Sequence, residues 1–393
     1  MNSINTKNFF YSIYIVIAIL WQSSDVYGQI PLKSENEVPI NEVINYNLSI
    51  LQNDPQNFKA SISLVESYYR LEDFQTCILY GNIAEDILLD MEASGNPEEN
   101  HNFYLFYIFH TRGKARHKLG MLRKAKEEYM SALVLNKSDS DLLVDIGNLF
   151  YNQSNYDSAM YYFKLADNLD TLNFKSRFNI ANVFYVKKKY DSALYYYNKS
   201  LQIKSDFPYV YFYIGTIYNE IEQYDMAVQA FNNAVNLWPD NSQIIYQRGL
   251  AYLALGNYKY ALFDWDKVLS LDSSNMDALR KRAFTNLIVG DNKAAIRDLY
   301  NLILRNADEM EGFYFRGNYY LQRKDYKQAL ADYNIALQKG LDHPELYYYT
   351  GYTHMKLRNK NEACVNFTIA AKKGIQLDKK SQRFFSKCLQ DIN

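Results

Sequence analysis

A period of 34 residues governs this chain from about Phe106 to Leu377. A small residue recurs as Gly113, Gly147, Ala181, Gly215, Gly249, Ala283, Gly317 and Gly351. Twelve positions after each stands an alanine: Ala125, Ala159, Ala193, Ala227, Ala261, Ala295, Ala329 and Ala363. Seven further on come Ala132, Ala166, Ser200, Ala234, Val268, Leu302, Ala336 and Ala370. A register kept through eight copies without an insertion points away from domains folded around separate centres. It predicts like units stacked in a row, each burying its apolar face on its neighbours.

Each unit reads as two helices. Ala329, Tyr333 and Ala336 are spaced i, i+4, i+7, and Phe313, Gly317 and Tyr320 share a face by the same rule. A glycine inside a helix costs about 1 kcal/mol relative to alanine, yet six of the eight copies place glycine at one position. Close approach of a second helix offsets that cost, with large side chains wedged beside the contact. The aromatics stand where such wedges belong. Tyr156, Tyr190, Tyr224, Tyr258 and Tyr326 lie three residues before the repeated alanine; Tyr129, Phe163, Tyr197, Phe231, Trp265, Tyr333 and Phe367 lie four after it. This periodic use absorbs many of the 38 tyrosines and 22 phenylalanines, while 15 glycines and 7 prolines in 393 residues are too few for a turn-rich β fold.

The series Gly/Ala, aromatic, Ala, aromatic, Ala resembles the tetratricopeptide repeat over Phe106 to Leu377. The resemblance implies an all-α fold, an α-solenoid in which helix-turn-helix units stack into a right-handed superhelix with first helices lining a concave groove. The family's proline between repeats is present at Pro239 only, whereas Pro208 and Pro344 open first helices. The sixth unit departs most, with Asn286, Leu299 and Leu302 at aromatic or alanine positions, and is expected to be the least stable. Residues 58–105 resemble a degenerate further unit, with Val65, Tyr68, Cys77 and Ala84 at matching places and an insertion around ASGNPEEN. A helix is expected in PINEVINYNLSILQN, within residues 29–57, and an amphipathic cap at 378–393.

Residues 1–28 have the form of an export signal: Lys7, then the uncharged run FFYSIYIVIAILW, then Val26-Tyr27-Gly28 before Gln29. Cleavage near Gly28–Gln29 leaves an exported, periplasmic or secreted protein with no stable membrane insertion; an uncleaved anchor is the alternative, although 13 apolar residues are short for a span of about 20. Cys77, Cys364 and Cys388 are too few for a disulfide framework. Cys364 and Cys388 fall in adjacent helices, to be read either as a pair or as small buried side chains, the second being the plainer reading. The sequons at Asn47, Asn136, Asn152, Asn198 and Asn366 carry meaning only in a eukaryotic secretory route.

Helical spacing places one row of side chains on the first-helix face of each unit: His110 and Lys114; Asn148 and Tyr151; Phe178, Asn182 and Tyr185; Phe212; Tyr246; Tyr314 and Asn318; Tyr348. In the resembled family a Lys/Asn set on successive first helices clamps a peptide carboxylate. Lys114, Asn148 and Asn182 hold equivalent places here, but His110, Val144 and Phe178 stand beside them instead of further lysines. Asparagine, with one acceptor and two donor hydrogens, suits an extended peptide backbone. A protein or peptide segment is therefore the expected ligand, and a scaffold in a cell-envelope or secreted complex the expected role. A carbohydrate ligand stacked on the groove aromatics is the alternative.

Arg112 to Lys126 carries seven Lys or Arg and no acid, read as solvated surface or as a contact for an acidic partner. The net charge of −1 argues against general nucleic-acid binding. His110 and His117 lack the i, i+4 spacing of a helical metal pair, His101 and His343 fall in expected loops, and no HExxH, GxSxG, Walker or GxGxxG sequence occurs. Neither metal, cofactor nor catalytic residues are expected, and the reading is non-enzymatic.

Overall fold

The computed structural model describes residues 39–306 and 308–390; the segment read as an export signal lies outside them. Among the described residues every regular element is an α-helix. They fall into two compact units that divide between Ile203 and Lys204.

The N-terminal unit holds α1 (Ile40–Asn53), α2 (Phe58–Arg70), α3 (Phe74–Ala93), α4 (His101–Lys118), α5 (Leu122–Leu135), α6 (Ser140–Asn152), α7 (Tyr156–Leu169), α8 (Phe174–Val186) and α9 (Tyr190–Leu201). The C-terminal unit holds α10 (Pro208–Glu220), α11 (Tyr224–Leu237), α12 (Ser242–Ala254), α13 (Tyr258–Leu271), α14 (Met276–Val289), α15 (Asn292–Arg305), α16 (Met310–Gln322), α17 (Tyr326–Gln338), α18 (Pro344–Lys356), α19 (Lys360–Lys372) and α20 (Lys379–Gln390). In both, consecutive helices pair as hairpins and each hairpin packs on the next, an all-α repeat solenoid.

Local chemistry sets the boundaries. Asn57, Asp73, Asp139, Asn155, Asn173, Asn241, Asn275, Asp291 and Asp325 each accept a backbone N–H from the first turn of the helix they cap. Each hairpin turns through one left-handed residue at a fixed place in the period. Glycine holds that place at Gly120, Gly256 and Gly290, but Glu72, Ser154, Lys188, Glu222, Lys324 and Arg358 hold it elsewhere with φ between 54° and 67°. The closed turn over-determines a backbone shape that these side chains disfavour.

The small-residue row is a steric necessity. A Cβ built on Gly147 would lie 2.4 Å from Phe163 Cε1; on Gly317, 2.5 Å from Tyr333 Cε1; on Gly215, 2.7 Å from Phe231 Cε1. The rings opposite are themselves fully buried. The third unit seats Ala181 beside the Tyr197 ring, and the sixth changes both partners, with Ala283 at the small position and Leu299 where others have a ring, all four side chains being buried. The smaller leucine makes room for the methyl group.

A second periodic device emerges from the packing. Arginine immediately before the small residue meets an acid 16 residues later on its own second helix: Arg112–Glu128, Arg282–Asp298 and Arg316–Asp332 at 2.8 Å, Arg248–Asp264 at 2.6 Å. The same guanidinium reaches the preceding hairpin, donating to Asn82, Asn232 or Asp266, or lying 5.1 Å over the Tyr300 ring. Other hairpins substitute stacked rings, Tyr68 on Tyr80, Phe150 on Tyr162 and Phe184 on Tyr196. Arg112 is thus buried, and the basic run it opens is not uniformly solvated surface.

Other expectations shift. α3 continues to Ala93 and α4 starts at His101, so part of the insertion lengthens both helices around a turn-like break at residues 94–100, and His101 is helical. His343 lies in a loop as expected, as the N-cap residue of α18. Cys364 and Cys388 are joined as a disulfide with Cα atoms 5.8 Å apart, tying α20 to α19, while Cys77 stays free and buried with its thiol pushed up to about 12 by burial.

Candidate functional site

The first helices of the N-terminal unit, α4, α6 and α8, bring Lys114, Asn148 and Asn182 to equivalent positions. All three are half-buried, but their surroundings differ. Lys114 holds its ammonium 4.8 Å over the Tyr69 ring. Asn182 accepts the Tyr197 hydroxyl at 2.6 Å, and its Nδ2 lies 3.4 Å from Asn179 Oδ1. For Asn148 the residue in the place of Tyr197 is Phe163, which has no hydroxyl, and the Asn148 amide makes no hydrogen bond with the described residues. Asn318 of the C-terminal unit repeats the Asn182 pattern, accepting Tyr333 Oη–H at 2.8 Å. Two of the three asparagines thus lock their own hairpins, and Asn148 keeps its full hydrogen-bonding capacity.

The histidines link neighbouring first helices. His110 donates through Nε2 to Asp145 Oδ2 at 2.8 Å, and Asn152 Nδ2 donates to His117 Nε2 at 2.8 Å. Burial works to raise Asp145, but the His110 hydrogen bond and the charges of His110, Lys114 and Lys175 hold it below the usual carboxylate range. Burial depresses His117, with the Asp145 charge opposing and Lys118 assisting. Because the unfolded imidazole binds its proton more readily than the folded one, His117 favours folding fully above its unfolded pKa of about 6.5. That contribution is lost as pH falls from there toward the folded value. We expect the stability of this unit to decline between pH 7 and pH 5, and to decline less in His117→Gln, which keeps an acceptor for Asn152. Urea titrations at the two pH values, and the NMR titration of the His117 ring with a midpoint under 6.5, check this.

The aromatic members of the row serve the packing. Phe178 lies against Tyr197 with ring centroids 5.8 Å apart, and Phe212 against Phe231 at 6.2 Å. Tyr151 meets Tyr156 edge-on at 5.4 Å, and Tyr185 lies 6.3 Å from Tyr190. Tyr246 is half-buried, its hydroxyl pushed up first by burial and then by the Asp277 charge. Tyr348 donates to Asp378 at 2.9 Å. Tyr314, read from spacing as groove-facing, is only 6 % exposed and donates to Glu345 at 3.2 Å, so it belongs to the core. The first-helix face therefore loses Tyr314 to the core, while the other aromatics of the row stay half-buried.

In the C-terminal unit an open cleft of about 400 Å³ lies between α10 and α12, lined by Thr216, Asn219, Glu220, Tyr224, Gln247 and Leu250. Asn219 Oδ1 is buried there without a hydrogen-bond partner. Tyr224 and Gln247 line the cleft although they lie outside the one-face row that helical spacing selects. Among the described residues, no three His, Cys, Asp or Glu side chains gather as a metal site, and no helix is long and apolar enough to cross a membrane.

Residues 215–256 match a family model described as TPR repeat, and residues 314–363 one described as tetratricopeptide repeat. No curated protein matches the chain. Similar solved structures include a tetratricopeptide repeat protein from Parabacteroides merdae, 20% identical over 64% of this chain and 98% of its own, TM-score 0.49. Another is YrrB, described as a TPR protein with an unusual peptide-binding site, 22% identical over 47% of this chain and 95% of its own, TM-score 0.43. The C-terminal part of a TPR repeat-containing protein from Cytophaga hutchinsonii is 17% identical over 64% of this chain and 97% of its own, TM-score 0.48.

Proposed function

We propose that this chain, which belongs to the tetratricopeptide-repeat family, is an exported, non-enzymatic scaffold that holds an extended protein segment on the first-helix face of its N-terminal unit. Proteins of this family are generally non-enzymatic scaffolds for protein–protein interaction. The observation that carries the reading is the uncommitted amide of Asn148, set between Lys114 and Asn182. An Asn side chain offers a donor and an acceptor together, which pairs with one peptide group of an extended chain. Lys114 adds a positive charge at one end of the row, suited to a carboxylate of the bound segment.

Export is supported by the N-terminal segment and by the Cys364–Cys388 bond, since stable disulfides belong to oxidising compartments. A role in assembling a cell-envelope or secreted complex follows as part of the same proposal. The peptide reading is favoured over a sugar reading because Tyr314, one of the tyrosines on which a sugar would stack, is buried in the core.

The test is capture of native partners by the purified chain, compared with Lys114→Ala/Asn148→Ala/Asn182→Ala. Loss of about tenfold or more in affinity is expected, on the scale of two or three lost hydrogen bonds. Tyr197→Phe removes the hydroxyl that Asn182 accepts without touching the other two, and so separates hairpin loosening from lost recognition. Capture unchanged in the triple variant would remove this face from consideration.

A further inference from the structure

Charge is unevenly spread in this nearly neutral chain. Between Lys356 and Cys388 stand nine lysines and arginines against two carboxylates, Glu362 and Asp378. The helix that ends the C-terminal unit sorts them by face. On α20, Ser381, Phe385 and Cys388 are buried, at i, i+4 and i+7, and they turn inward. Lys379, Lys380, Arg383 and Lys387 are all exposed, as is Lys372 at the end of α19. Lys379, Arg383 and Lys387 follow one another every four residues, a cationic stripe about 12 Å long on the outward face.

The stripe is held rigidly. At the start of α20, Asp378 caps the helix through the N–H groups of Lys380 and Ser381, at 2.8 and 2.6 Å, and accepts the Tyr348 hydroxyl. Near its end the Cys364–Cys388 bond fastens it to α19. Phe384 and Phe385 lie against Phe367, with ring centroids 6.3 and 6.4 Å away. The apolar side of this amphipathic helix is thus committed to the protein, and its basic side is left facing outward.

We infer that this end of the C-terminal unit docks on an anionic phospholipid surface, through charge and without insertion. Charge complementarity requires an anionic partner, and the residue types favour lipid over protein or nucleic acid. Four of the five cations named above are lysines, compact charges without the planar fork that fixes a carboxylate or a guanine edge. Lysine is depleted in protein interfaces, and the stripe presents no exposed aromatic or aliphatic anchor of the kind that carries binding energy there. A cluster of lysines above mobile headgroups needs neither fork nor anchor, and each contributes about a fivefold gain near an anionic surface.

The experiment is co-sedimentation of the full chain with vesicles of phosphatidylcholine alone and of phosphatidylcholine with about a third phosphatidylglycerol. The apolar N-terminal run acts on both alike, so the ratio of the two affinities isolates charge. We expect a preference for anionic vesicles that falls about six-hundredfold, four fivefold steps, in Lys379→Gln/Lys380→Gln/Arg383→Gln/Lys387→Gln. We expect it to disappear at 1 M salt, where the screening length is about 3 Å. Removing three charges elsewhere, by Lys187→Gln/Lys188→Gln/Lys189→Gln, should leave the ratio within about twofold. Circular dichroism confirms the helix content of each variant. Equal binding to both vesicle types, an unchanged ratio in the α20 variant, or tighter capture of polyglutamate or duplex DNA than of anionic vesicles overturns the inference.

Discussion

Arg282→Met should destabilise the C-terminal unit by about 3–5 kcal/mol, the range seen when one partner of a buried ion pair is removed. Asp298 is fully buried and takes both Arg282 Nε and Nη2 at 2.8 Å. Without the guanidinium its charge is stranded: Arg297 Nε is 3.9 Å away on a side chain 69% exposed, too solvated to substitute. The link to Asp266 of the preceding hairpin goes too. Arg282→Met/Asp298→Leu should recover to within about 1 kcal/mol of the parent, since apolar groups of similar volume replace buried pairs at little cost. Urea titration followed by circular dichroism at 222 nm measures both. A loss below about 1 kcal/mol in the single variant would show that the pair is not sealed from water.

Gly147→Val should cost about 3 kcal/mol, the upper part of the overpacking range. The first added carbon falls 2.4 Å from the Phe163 ring, and the ring is enclosed by α6, α7 and α8. Gly147→Ala should cost less, because the third unit keeps both Ala181 and Tyr197 fully buried and so shows that a hairpin can seat a methyl group beside a ring. Pairing Gly147→Ala with Phe163→Leu copies the Ala283/Leu299 arrangement, and the double variant should be more stable than the sum of its two parts by about 1 kcal/mol. Strict additivity would mean that the glycine is kept for some reason other than the ring opposite it.

Much of the fold was legible because its cause is local and periodic. Gly317, Ala329, Tyr333 and Ala336 identify one hairpin by helical spacing alone, and repetition converts that hairpin into a stack. The arginine–acid device is equally periodic, but only four of the eight units carry it and stacked rings replace it in others, so residue type at that spacing does not single it out. Nor could spacing reveal that Ser154 or Lys188 would take a left-handed conformation, since the closed turn imposes it against their preference.

The candidate site was legible as a row of positions but not as a set of available groups. Helical geometry assigns Asn148 and Asn182 the same place. Whether an amide is free depends on the side chain 15 residues later: a hydroxyl at Tyr197, none at Phe163. In the same way Tyr314 and Tyr246 share a register position, and only packing by the following hairpin buries the first.

The amino-acid order by itself determined the helices, their pairing and the period, because side-chain size and capping act over a few residues. Tertiary structure alone decided which polar groups remain unsatisfied, which cations face outward and which cysteines meet. Those outcomes depend on side chains brought together from different helices, where hydrogen-bond reach and burial are set by a few tenths of an ångström.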